Sequence, residues 1–326
     1  MEFLDQILWG YFLGKQGWFW LVFISIVIFL LFLDLGVFHR HDHEISVKES
    51  LYMSLGYILI ALAFGGWIWY SLGSTAGKDY LTGFLVEKTL AIDNIFVISL
   101  LFTYFAIPRL YQHRVLFWGI IGVIILRGIM IGLGSTLVQE YHWVLYIFAV
   151  FLILTGIKML VFSQQETNLE RNVMINWLRR ILPVTNSLRG NHFFVREIAQ
   201  NSNKKRIYVT PLFLALIMVE FTDLIFAVDS VPAIFAITQD TYIVYTSNIF
   251  AILGLRALYF ALAAIIHKFH YLKYALAIIL IFIGGKIFIA DFFGGKFPAD
   301  LSLIITIGLL ASGVIYSVWK TRQKPL

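Results

Sequence analysis

Long apolar runs alternate with short polar stretches along most of this chain. A helix needs roughly 20 mainly apolar residues to cross a bilayer. Nine segments meet that measure: 18–38, 51–73, 81–106, 114–134, 143–163, 211–237, 244–266, 272–292 and 300–319. The longest polar stretch, 164–207, divides the fifth from the sixth. Within it Leu169, Val173, Trp177, Leu178, Ile181 and Leu182 roughly follow helical spacing among Arg171, Arg179 and Arg180. That pattern predicts an amphipathic helix on a membrane surface, with a regulator-binding loop as the alternative. The pairs Gly65-Gly66 and Gly284-Gly285 predict close helix–helix approach. The fold class expected is all-α, a polytopic membrane protein forming a single transmembrane domain over 1–326.

Composition agrees with the pattern. Hydrophobic residues make up 60% of the chain and charged residues only 13%, against about 25% charged in soluble domains. The run from Trp18 to Phe38 exceeds the roughly 7–15 residues of a signal-peptide core. It reads as a retained helix that also targets the chain to the membrane. Basic residues set the orientation. With the N-terminus outside, outer segments hold three (Lys15, Lys78 and Lys296) and inner segments seventeen, eight of them in 164–207. The positive-inside rule therefore predicts an outer N-terminus and a cytoplasmic C-terminus. The same rule accounts for the net charge of +6 without a nucleic-acid partner. With no cysteine anywhere in the chain, disulfides, thiolate catalysis and thiolate metal sites are excluded together.

Carboxylates interrupt two of the apolar runs in the same way. Glu87-Lys-Thr-Leu-Ala-Ile-Asp93-Asn94 matches Asp223-Leu-Ile-Phe-Ala-Val-Asp229-Ser230, with acids six apart and a small polar residue next. The match continues as Ile125-Leu126-Arg127-Gly128 with Gly254-Leu255-Arg256-Ala257, then Thr155-Gly156-Ile157-Lys158 with Ile283-Gly284-Gly285-Lys286. Each unit is thus an acidic, an arginine-bearing and a lysine-bearing helix, at 81–163 and 211–292. Three spans are an odd number, so the second unit starts from the opposite side. An inverted repeat of this kind is a common skeleton of secondary transporters. The two helices within 18–73 and the helix 300–319 fall outside it.

Ionisable residues inside spans are costly and mark candidate sites. Asp93 lies ~18 Å below the outer end of its span and Asp223 ~18 Å above the inner end of its own, so both are near mid-membrane. Glu220 shares a face with Asp223 one turn away. A six-residue step leaves Asp93 and Asp229 some 120° from Glu87 and Asp223, whereas Asn94 and Ser230 return almost to the acid's face. Either the helix is locally unwound or the second acid faces another neighbour. Pro232, which frees the Val228 carbonyl, favours unwinding in 211–237. These oxygen groups suit a hard divalent cation, and protonation of the same acids would neutralise an empty site. Met218 is read as packing. Against five acids stand Lys88, Arg127, Lys158, Arg256 and Lys286. Arg127 and Arg256 are expected to pair with some of the acids as gates or scaffolds. Lys158 and Lys286 are expected to snorkel. Structural pairing of the whole set is the competing account. Asp34 either assists access from the cytosol or caps packing. His39, His41 and His43 read as a polar headgroup loop, with metal capture as the alternative.

At Leu33-Asp34-Leu35-Gly36-Val37-Phe38, at Glu87 to Asn94 and at Glu220 to Ala233 the chain resembles the TerC/Alx family of integral membrane proteins, most of all its bacterial Alx branch. The likeness runs from about residue 18 to 320. It implies a multi-pass inner-membrane manganese exporter in bacteria with Glu87, Asp93, Glu220, Asp223 and Asp229 as ligands. Mn²⁺ is then substrate, and no prosthetic group is expected. The residues alone reach only a hard divalent cation, with protons as a natural exchange partner and the lipid bilayer as surroundings. Rival readings are an anion or amino-acid exporter using Arg127, Arg256 and Lys88, an intramembrane aspartate-dependent enzyme, and a stress-signalling scaffold. The Gly-x-Gly-Asp signature of an intramembrane protease is absent.

Overall fold

The computed structural model describes residues 8–33, 45–161, 173–198, 205–263, 272–290 and 297–322. A helix forms at each of the nine predicted positions: α1 Gly17–Leu33, α2 Val47–Leu72, α3 Ser74–Tyr104, α4 Arg109–Glu140, α5 Val144–Val161, α7 Pro211–Phe235, α8 Thr241–Leu262, α9 Leu272–Ile289 and α10 Ala299–Arg322. A short α6, Val173–Ile181, lies between α5 and α7. Seven of these helices are long and apolar enough to cross a membrane. The other two spans correspond to α1, with 17 residues, and to α3, whose hydropathy is lowered by its own ionisable residues. The all-α polytopic architecture is as the pattern predicts.

Two boundaries differ from expectation. Helix α3 starts at Ser74 rather than near 81, because Gly73 alone turns the chain out of α2. Its φ of 94° is one that glycine adopts without a Cβ clash. The loop 164–207 is also more structured than one surface helix. Antiparallel strands β3 (Phe194–Ile198) and β4 (Lys205–Val209) form a hairpin leading straight into α7. On α6, Ile175 and Leu178 bury into the core around Phe193 and Leu212, while Trp177 and Ile181 stay exposed. Only part of that helix is therefore free to face a membrane surface. A second hairpin, β1 (Tyr11–Phe12) with β2 (Lys15–Gln16), precedes α1. Its Lys15 bonds Asp240, the N-cap of α8, at 2.8 Å.

Helix α8 is the axis of the bundle and is buried on nearly every side. Small residues such as Ser247, Ala251 and Gly254 let neighbours approach closely, as bundles without a hydrophobic drive between helices require. It packs on α2, α3 and α4, while α7 packs on α3, α4 and α5. The acidic helix of each expected unit thus lies against the arginine-bearing helix of the other. The two lysine-bearing helices, α5 and α9, pack on each other most extensively of all. Their contact is reciprocal. A Cβ at Gly156 would meet the Ala277 carbonyl oxygen at 2.6 Å, and a Cβ at Gly284 would meet that of Ala149 at 2.6 Å. Gly156 and Gly284, like Ala149 and Ala277, are 128 residues apart. Of the glycine pairs, Gly65 and Gly284 make close contacts, whereas Gly66 and Gly285 face open space.

Candidate functional site

The site is built where α3, α4, α7 and α8 cross, and its hub is Arg127 on α4. This side chain is only 1% exposed. Nη1 donates to Glu87 Oε1 at 2.7 Å, to Ser230 Oγ at 2.7 Å and to Asn248 Oδ1 at 3.3 Å. Nε donates to Asp223 Oδ2 at 3.3 Å and Nη2 to Asp223 Oδ1 at 3.4 Å. Asn94 Nδ2 also donates to Asp223 Oδ1, at 3.3 Å. A planar fork with five N–H groups and no acceptor suits this position better than an ammonium. One guanidinium bridges an acid from each acidic helix.

Three predicted placements follow. Asn94 and Ser230 return to the face of the acids, as the helical rotation requires. Glu87 and Asp223 converge. Asp229 faces elsewhere: with Thr155, to which it is hydrogen-bonded, and Lys158, it lines the α5 side of a cavity of about 240 Å³. Unwinding at Pro232 is not observed, because α7 runs unbroken from Pro211 to Phe235. The second acid reaches a different neighbour instead.

Glu87, Leu90, Asn94, Arg127 and Ser230 also line that cavity. Glu87 Oε2 and Asn94 Oδ1 are buried and accept no hydrogen bond from the described residues. Buried acceptors are normally satisfied, and here both bare oxygens belong to residues that line the cavity. One turn before Asp223, Glu220 seats its carboxylate in a notch of α4. A Cβ at Gly122 would meet both carboxylate oxygens at 2.5 Å, and both oxygens lack a partner among the described residues. No three acids or histidines come close enough among the described residues to hold a metal by themselves.

The other basic residues separate. Arg256, the counterpart of Arg127, places its guanidinium over the Phe117 ring at 5.3 Å and against His113 Nε2. A small cavity of about 40 Å³, lined by both Asp223 and Arg256, lies between this group and the hub. Lys88 points away from Glu87, and its Nζ donates to the Ala251 carbonyl at 3.2 Å. Lys158 is exposed and lines the same cavity as Asp229. Lys286 does not snorkel: it is buried and donates to Ser302 Oγ at 3.1 Å, because α10 covers its side of α9. Met218 is buried in the core as packing. The side chain of Asp93 lies outside the described residues, as do Asp34, His39, His41 and His43. Sequence reasoning missed Asn248 and the Gly119/Gly122 notch. An asparagine and two glycines inside apolar spans were the available signals.

Apolar spanning helices closed around a buried ion-paired hub define a polytopic integral membrane protein. The chain belongs to the integral membrane protein TerC family, whose model matches residues 72–325. A membrane protein of Rickettsia bellii (strain RML369-C) is 50% identical over 299 residues, covering 92% of this chain and 96% of the relative. One from Myxococcus xanthus is 45% identical over 312 residues, covering 96% and 95%. Alx of Escherichia coli (strain K12), described as a candidate membrane-bound redox modulator, is 43% identical over 309 residues, covering 92% and 94%. No solved structure matches the chain.

Proposed function

We propose that this protein exports a hard divalent cation, Mn²⁺ by the family resemblance, from the cytoplasm across a bacterial inner membrane in exchange for protons. The observation that carries the reading is the pair of bare buried oxygens, Glu87 Oε2 and Asn94 Oδ1, on residues that line the same cavity as Asp229 and Thr155. Carboxylate, amide and hydroxyl oxygens are the ligands that such cations take. With both carboxylates ionised, Glu87, Asp223 and Arg127 carry one net negative charge. Glu220 adds a further acid on the α4 side. A dication with retained waters compensates this excess, and two protons on the same carboxylates do so when it leaves. Arg127 holds the two acidic helices together while leaving one oxygen of Glu87 for the cation.

The reciprocal α5–α9 contact and the crossed acid–arginine packing support an inverted repeat, in which one unit rocks against the other around a fixed site. Other readings fit less well. An anion carrier would have to displace two carboxylates from Arg127, whose donors are engaged by protein acceptors. An aspartate-dependent enzyme needs acids that share a water or proton, not acids bridged by a guanidinium. The redox role in the description of Alx belongs to that relative, and this chain has no thiol with which to perform thiol exchange.

Cells lacking their own manganese exporters and carrying Glu87→Gln or Asp223→Asn should accumulate Mn²⁺ as cells without the protein do, at equal membrane levels of each variant. Accumulation as low as with the unaltered protein in both cases would overturn the cation assignment.

A further inference from the structure

A second polar cavity, of about 520 Å³, opens near the start of α3 and the ends of α7 and α9. Lys78 and Asp79 of α3, Phe235 with Ala236–Gln239 after α7, Lys286 and Ile287 of α9, His142 and Asp300 line it. Lys78 pairs with Asp300 across its rim, and Lys286 is tied to Ser302. It shares no lining residue with the 240 Å³ cavity. Yet each helix visits the two spaces in a matching order. Helix α3 passes from Asp79 through Val86 to Glu87, Leu90 and Asn94. Helix α7 runs from Ser230 through Ala233 to Phe235, and α9 from Leu280 through Ile283 to Lys286. The intermediate residues belong to one apolar cluster, in which Val86, Ala233 and Ile283 are each 0% exposed. From Leu280 to Lys286 is ~9 Å along the axis, so this layer is one to two turns thick.

We infer that the 520 Å³ cavity is the outer mouth of the transport path and that the layer of Val86, Ala233 and Ile283 is its closed gate. The inference rests on the cation-transport reading and adds the route and the barrier to it. A hydrated cation at either cavity keeps polar partners. Within the layer it would find none, and the cost of stripping its water closes the path. The residues that wall the layer come from α3, α5, α7 and α9, which belong to both repeat units. Relative movement of the units therefore opens it without breaking a covalent or charged contact inside it. The mouth lies at the N-terminus of α3, the side that the basic-residue distribution assigns to the exterior.

The absence of native cysteine makes single-cysteine labelling a clean test. Intact cells carrying Thr238→Cys, in the mouth, or Thr155→Cys, in the inner cavity, are treated from outside with a membrane-impermeant methanethiosulfonate bearing a cationic head. Thr238→Cys should react fast and Thr155→Cys at least an order of magnitude more slowly. Adding Ile283→Ala or Val86→Ala should raise the Thr155→Cys rate toward that of the mouth. Equal rates at the two positions before the layer is thinned would overturn the gate, as would a Thr155→Cys rate unmoved by both alanine variants. A Thr238→Cys that reacts only from the cytoplasmic side would overturn the mouth. Labelling does not depend on which ion is carried. Mn²⁺ efflux measured on cells carrying the unaltered protein therefore separates failure of the gate from failure of the cation reading.

Discussion

At the scale of single residues, Arg127 decides how this site is assembled. Its guanidinium satisfies one oxygen of Glu87 and both of Asp223. Removing one partner of a buried ion pair leaves uncompensated charge, at about 3–5 kcal/mol. Arg127→Gln is therefore expected to lower the thermal unfolding midpoint of the purified protein in detergent, and Glu87→Gln in that background to restore part of the loss. A double variant no more stable than Arg127→Gln alone would show that the acids are not what the arginine compensates. The sequence made part of this legible. A seven-residue step is nearly two helical turns, which is why Asn94 and Ser230 were placed correctly on the acids' faces. It could not tell Arg127 from Arg256, because both follow a leucine and precede a small residue inside an apolar run. Only their neighbours differ, Glu87 and Asp223 for one, and His113 and Phe117 for the other.

Among the elements, the α5–α9 contact depends on glycine at one position of each helix and is indifferent to the next residue. Backbone carbonyls cannot move aside as side chains do, so Gly284→Ala or Gly156→Ala should each cost about 1–3 kcal/mol through overpacking. Gly285→Ala, which meets nothing within 4 Å, should leave the unfolding midpoint unchanged. Equal loss at Gly284 and Gly285 would contradict the reciprocal contact. The helices were legible because apolar runs of bilayer length have few other structures open to them. The β3–β4 hairpin was not. Five-residue strands carrying Arg196, Glu197, Lys205 and Arg206 show little of the apolar alternation that betrays a half-buried strand. The Pro232 break failed for a different reason. Proline removes one hydrogen bond from a helix, but α7, packed against α3, α4 and α5, stays helical through Phe235.

For the whole molecule, the acids, the guanidinium and the two cavities lie along one bundle whose two halves pack as counterparts. Overall architecture could be read from the apolar pattern, and membership of the TerC family follows from likeness over nearly the full chain. The cavities could not, since they arise where α3, α7 and α9 meet across long separations in sequence. The central claim is that oxygens at the meeting of α3 and α7 carry a hard dication through the membrane. Uptake of Mn²⁺ into inside-out vesicles holding the protein, with an outward-directed proton gradient, measures it directly. The account predicts saturable uptake that collapses when the gradient is dissipated and falls at least an order of magnitude in Asp223→Asn. Uptake by Asp223→Asn vesicles equal to that of the unaltered protein, or no uptake above protein-free vesicles, would contradict it.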